Sequence, residues 1–287
     1  MFEGVGFMMR ILSVLSILII SNVAGAFPLP TANIKSVQLP KSFSANYDFE
    51  GIIELSNCSG SLIRLDSSRD SDSALVLTNG HCLGGFMEPG EVIVGEPSSR
   101  SFNVLDRSGS RAGRLEATQI LYATMTRTDM AIYKVNSTYA EIQNRYHVRP
   151  LRLASTRPEI GTPIEVVSGY WKRGYSCAVE TIVHQLKEAD WLFERSVRYT
   201  RPGCEVIGGT SGSPVIEIAT RSVIAINNTG NESGRRCTMN NPCEIDENGD
   251  ITFQEGYSYA QQTYWLYGCL NELNELDLNK AGCELPH

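Results

Sequence analysis

The chain lacks a long basic run, an internal repeat and any low-complexity tract. Its 25 Lys and Arg are outnumbered by 32 Asp and Glu, for a formal net charge of −7. Binding to nucleic acid needs clustered cations against phosphates, so that class of partner is not expected. Close cysteine pairs of the C-x-x-C type are missing too, which removes the usual ligand spacing of a structural zinc site. No metal and no cofactor is expected. The longest apolar run, "ILSVLSILII" (11–20), is well short of the roughly 20 residues that span a bilayer, so no stable membrane anchor is expected. Histidine is scarce: His81, His147, His184 and His287 are all there are.

What precedes and follows that apolar run gives it a meaning. Arg10 stands before it, and "SNVAGAFPLP" after it carries Ala24 and Ala26 at small-residue positions. This is the pattern of a cleavable export leader, residues 1–26, cut after Ala26. Residues 27–46 would then be an N-terminal arm or a short propeptide. The expected location is extracellular, or periplasmic in a Gram-negative bacterium. All eight cysteines follow the cut: Cys58, Cys82, Cys177, Cys204, Cys237, Cys243, Cys269 and Cys283. An even count in an exported chain reads as disulfides. The residues alone leave about 105 pairings open. N-x-S/T sites stand at Asn136, Asn227 and Asn231, and at Asn57 with Cys58 in its middle; they matter only on a eukaryotic secretory route.

Short apolar or alternating runs recur between Gly, Asn, Ser and Pro. They include "GIIEL" (51–55), "GSLIRL" (60–65), "ALVLT" (74–78), "EVIVG" (91–95), "MAIYKV" (130–135), "PIEVVSG" (163–169), "PVIEI" (214–218) and "SVIAIN" (222–227). Strand-like runs at this density predict an all-β sandwich or barrel. Helix is expected only at "TYAEIQNRY" (138–146) and at "QQTYWLYGCLNEL" (261–273). Residues 228–256 are polar and turn-rich. Within them Asp246, Asn248 and Asp250 alternate like calcium ligands, but Ile251 stands where such a loop needs Gly and Tyr257 where it needs Glu. A hairpin turn at Asn248-Gly249 is the reading adopted.

"VIGGTSGSPV" (206–215) places Gly208, Gly209 and Gly212 around Ser211. A serine hydroxyl is a weak nucleophile unless a base lies within hydrogen-bond reach and a third group orients that base. It also needs backbone N–H groups aimed at a developing oxyanion, which glycines allow. His81, in "ALVLTNGHC", ends a buried strand beside Cys82. Asp129, in "TRTDMAIYKV", is the one carboxylate at the mouth of a buried strand between His81 and Ser211.

"LTNGHC", "TDMAIYKV" and "GGTSGSPV", in that order, resemble the three signature segments of the chymotrypsin/trypsin-like serine peptidases. "SGSPV" after Thr210 is closest to the bacterial glutamyl-endopeptidase-like branch. The resemblance covers about residues 48–270. It implies two packed six-stranded antiparallel β-barrels, about 47–150 and 151–260, then a C-terminal helix and tail, 261–287. It implies that His81 acts as base and acid, Asp129 holds its tautomer and Ser211 is the nucleophile. Gly209 and Ser211 N–H would form the oxyanion hole. It implies a Cys58–Cys82 bridge and makes Cys177–Cys204 a second-barrel bridge; Cys237–Cys243 and Cys269–Cys283 then pair by proximity. The chain departs from the family at Thr210, where digestive trypsins have the Asp that pairs with a new N-terminus, and at Cys204, seven residues before Ser211 instead of four. Glu205 and Asn227 fall near the specificity pocket. A surface position is the simpler reading of Glu205, and Asn227 replaces the histidine that glutamyl endopeptidases use. The expected function is an exported, monomeric serine endopeptidase acting on proteins or peptides. The alternative is a catalytically silent, peptidase-like binding module. A nucleophile-elbow esterase is not expected, because "GTSGS" lacks the final Gly of G-x-S-x-G and only the terminal His287 follows Ser211.

Overall fold

The computed structural model describes residues 47–287. The leader, its cut after Ala26 and the arm 27–46 lie outside the described residues. The elements, in order, are β1 Ile52–Glu54, β2 Ser59–Arg64, β3 Ser73–Thr78, β4 Val92–Pro97, β5 Ser101–Leu105, β6 Arg111–Thr124, β7 Met130–Thr138, α1 Tyr139–Tyr146 and β8 Leu151–Leu153. They continue with β9 Pro163–Ser168, β10 Arg173–Ile182, β11 Gln185–Glu188, β12 Trp191–Glu194, β13 Val197–Tyr199, β14 Pro214–Glu217, β15 Ser222–Gly230, β16 Cys243–Ile245, β17 Ile251–Thr252, β18 Ser258–Gln262 and α2 Trp265–Gly268.

Two rings of strands close. β1 pairs with β2 and β5, β6 joins β5 to β7, and β3 joins β7 back to β2, all antiparallel. β9 pairs with β10 and β14, β13 joins β10 to β18, and β15 joins β18 back to β14, again antiparallel. Short β8 lies parallel to both β2 and β15 and ties the rings together. Each ring is six-stranded, as in the chymotrypsin-like fold.

Burial explains why the strands read as continuous apolar runs. Ile53, Leu62, Val76 and Tyr133 fill the first barrel. Their chain neighbours Ile52, Ile63, Leu77 and Ile132 point the other way, into a second core with Val167, Ile216, Val223 and Ile226 from the second barrel. Side chains alternate along a strand, so strands wet on one face alternate in polarity, and strands covered on both faces do not. Ile164, Val166, Val197, Val215 and Ile224 fill the second barrel.

Helix α1 forms where expected: Thr138 caps it in a box with Glu141 and His147 ends it at φ +56°. The C-terminal helix is a single turn, Trp265–Gly268, shorter than the expected 261–273. Gln261 and Gln262 finish β18 instead, paired with Ile226 and Ala225, because their buried amides donate to Ser196 Oγ and Arg195 O. The second barrel therefore runs to 262. The hairpin at Asn248-Gly249 joins β16 to β17, with the Asp246 carboxylate accepting from Asn248 and Asp250 N–H. With β11 and β12 this hairpin makes a four-stranded sheet. All eight cysteines are paired: Cys58–Cys82, Cys177–Cys204, Cys237–Cys243 and Cys269–Cys283. Asn227 and Asn231 are buried, at 2% and 1% exposure, which closes both as glycan acceptors. Among the described residues no helix is long and apolar enough to cross a membrane.

Candidate active site

A cleft of about 780 Å³ is lined by His81, Asp129 and Ser211, with Glu188 of β11 and Trp191 and Phe193 of β12 contributing a further wall. His81 sits in one turn of 3-10 helix, Gly80–Leu83, directly after β3. Cys58–Cys82 fixes the next residue to the start of β2. Asp129 immediately precedes β7 and is fully buried. Its Oδ2 lies 2.6 Å from His81 Nδ1 and its Oδ1 accepts the His81 backbone N–H at 3.2 Å. A carboxylate only accepts, so Nδ1 carries the proton and Nε2 keeps a free lone pair. Gly80 permits this approach: a Cβ there would stand 2.3 Å from Thr124 O and 3.2 Å from Asp129 Oδ1. Burial alone would lower the His81 pKa from its ordinary 6.5; the Asp129 charge and hydrogen bond, with a smaller pull from Glu188, reverse this and raise it.

Ser211 belongs to the second barrel, between β13 and β14 and three residues before β14. Its hydroxyl donates to Asn228 O at 3.3 Å, and among the described residues no hydrogen bond joins it to His81. Its carbonyl accepts from Ser59 N–H at 2.8 Å. The preceding four residues, Ile207–Thr210, form a turn closed by Thr210 N–H to Ile207 O at 3.0 Å, with Gly209 third at φ +85°. A positive φ at the third position is the type II arrangement, which favours glycine. Neither the Gly209 nor the Ser211 N–H has an acceptor among the described residues. Thr210 is buried, and its hydroxyl donates to Ile207 O. Here it does local work in the turn.

Asn79 couples the halves of the site, and sequence reasoning did not single it out. Its buried amide donates to Asp129 O at 2.8 Å and accepts from Gly212 N–H at 2.6 Å. The one available signal was a polar residue closing the apolar run "ALVLTN". Glu188, also missed, is 7% exposed and lines the cleft. Burial pushes its carboxyl up, against bonds from Thr229 and Asn240 N–H and the pull of His81. Phe86 stands between His81 and Trp191, with ring centroids 6.1 and 5.3 Å away. Of the two pocket candidates, Glu205 is an exposed part of the cleft wall. Asn227 also lines the cleft, but its amide oxygen already accepts the Tyr199 hydroxyl at 3.0 Å.

Donor atoms of Cys58, His81 and Cys82 lie within 4.8 Å of one another. The two sulfurs are bonded to each other, so neither is the thiolate a soft metal site requires.

No curated protein matches the chain. Among solved structures the chain is similar to the MamO protease domain from Magnetospirillum magneticum, with TM-score 0.47, 12% identity, and coverage of 78% of this chain and 97% of that one. It is similar to the Nocardiopsis protease NAPase, with TM-score 0.42, 14% identity and coverage of 75% and 92%. Likewise it is similar to the protease Anisep from Arthrobacter nicotinovorans, with TM-score 0.42, 14% identity and coverage of 75% and 90%. The family described as trypsin-like peptidase domain matches residues 58–226, more than half of the chain, and the chain belongs to that family.

Proposed function

We propose that this chain is an exported serine endopeptidase that hydrolyses peptide bonds through His81, Asp129 and Ser211. The observation that carries the reading is the buried Asp129 carboxylate 2.6 Å from His81 Nδ1, in the same cleft as Ser211, whose own backbone N–H and that of Gly209 are unengaged among the described residues. The four disulfides support export, since such bonds persist in oxidising compartments.

Ser211 leaves the Asn228 carbonyl by rotating about χ1 and donates to His81 Nε2. As its Oγ bonds to the scissile carbonyl carbon, the proton passes to Nε2 and the π electrons move onto the carbonyl oxygen. Gly209 and Ser211 N–H receive that oxyanion, where one such donor is worth about 10²–10³ in kcat. Collapse breaks the C–N bond, and imidazolium gives its proton to the leaving amine. Water then attacks the acyl-enzyme, losing its proton to His81, and Ser211 regains it when the ester bond breaks. Asp129 holds the tautomer and stabilises the imidazolium throughout. The Thr210–Pro214 run resembles that of the glutamyl-endopeptidase-like branch, which supports a reading near that branch. A glutamate preference is not proposed, because Asn227 stands in place of the branch histidine and is engaged by Tyr199.

The Ser211 hydroxyl's bond to Asn228 O is the one observation that favours a silent binding module. Hydrolysis of a labelled casein by the purified secreted chain separates the two. Turnover lost in both Ser211→Ala and His81→Ala is expected. A folded wild type that binds peptides without cleaving them would leave the binding module.

A further inference from the structure

Trp171 sits at the tip of the β9–β10 hairpin and is 46% exposed. It does not line the cleft, yet its indole Nε1–H donates to Gly208 O at 2.9 Å. The Gly208–Gly209 peptide is trans. In a trans peptide C=O and N–H point in opposite directions. The bond that draws the Gly208 carbonyl to the indole therefore turns the Gly209 N–H away from it. Reversing that peptide would break the indole bond and swing a carbonyl oxygen to the side where an oxyanion must form.

The indole is itself fixed. The Trp171 backbone N–H donates to Ser168 Oγ at 3.2 Å, the Tyr170 backbone N–H donates to Ser59 Oγ at 3.1 Å, and the two serine hydroxyls are 3.0 Å apart. Ser59 N–H in turn holds the Ser211 carbonyl at 2.8 Å. Tyr170 packs edge-on against Trp171, with ring centroids 4.9 Å apart. A circuit thus runs from the nucleophile through Ser59, Ser168 and Trp171 to Gly208, and back along the chain. Gly209 fits inside it only as glycine. A Cβ there would stand 3.0 Å from the indole nitrogen and 3.1 Å from the Tyr170 ring, at φ +85°.

We infer that Trp171 is a positioning residue: its indole N–H latches the Gly208–Gly209 peptide so that the Gly209 N–H faces the oxyanion. The inference rests on the Ser211 chemistry proposed above. Its test replaces Trp171 with benzothienylalanine, which keeps the ring and exchanges N–H for sulfur, and separately with Phe. The benzothienyl variant should lose roughly 10-fold or more in kcat with KM unchanged, up to the 10²–10³ typical of a lost oxyanion donor. Affinity for a peptide aldehyde, which forms the tetrahedral adduct, should fall in parallel, while affinity for the product peptide should hold. A benzothienyl variant as active as wild type overturns the latch. A wild type that neither turns over nor takes up a phosphonofluoridate overturns the catalytic reading instead. In that event exchange of the Trp171 indole proton still decides: slow exchange is expected, and exchange as fast as in free tryptophan overturns the latch.

Discussion

Asn79 does two jobs with one amide. It accepts the Gly212 N–H next to Ser211 and donates to the backbone carbonyl of Asp129, whose carboxylate bonds His81. Asn79→Ala should lower kcat by about 10²-fold, the scale of a misplacement near 1 Å, and should leave the Asp129 carbonyl unsatisfied at a cost of about 1–3 kcal/mol, while Gly212 N–H keeps its bond to Asn227 O. Steady-state kinetics and urea titration of the folded variant measure both. His81 makes a prediction with a sign. Its folded pKa is raised above 6.5, and hydrolysis needs the neutral ring. The kcat/KM profile should therefore rise with pH through a midpoint above 6.5. A raised folded pKa favours the protonated protein, so that contribution to stability is complete below 6.5 and is lost as pH climbs through the folded value. Activity is gained over the window in which this stability is lost.

Among the elements, the turn into β14 is the most tightly specified. Gly212 has φ +77°, and a Cβ there would stand 2.1 Å from Ser59 O. Gly212→Ala should destabilise by at least about 2–3 kcal/mol, read as a lowered denaturation midpoint. The segment entering β1 carries a second signature. Glu50 is held at a pKa of about 2 by Arg149, against its own burial and with Arg107 helping. A lowered acid pKa stabilises above 4.5 and is lost as pH falls toward about 2. Glu50→Gln should flatten the drop in Tm between pH 5 and 3. Elements whose burial shaped their composition were legible: all eight runs read as strands lie in strands, and apart from the exposed β4 their unbroken apolar stretches come from cores on both faces. β6, wet at alternate positions over its first half, is apolar only at its end, Ile120–Ala123, and β16 pairs with β11 across more than fifty residues that no local pattern announces. Gln261 and Gln262 misled for the same reason. Their partners, Ser196 and Arg195, are over sixty residues away.

At the scale of the molecule, the two barrels meet at the cleft, with His81 and Asp129 from one and Ser211 from the other. The motifs around those three residues were readable because each needs a local feature: glycines for the turn, a strand mouth for the acid, a cysteine for the brace. Asn79 and Trp171 escaped because their partners lie in other segments of the chain. Cys58–Cys82 crosses the wall that carries His81. Replacing both cysteines with serine should cost about 3–4 kcal/mol, by the loop-closure estimate for roughly 25 residues. It should lower activity further by loosening His81, which the pH–rate profile would register. The central claim, an assembled nucleophile, is tested most directly by exposing the secreted protein to a phosphonofluoridate and mapping the adduct by mass spectrometry. A stoichiometric adduct on Ser211, absent from His81→Ala, is the expected result. A folded, fully oxidised chain that stays unlabelled at Ser211, before and after limited proteolysis, would contradict it.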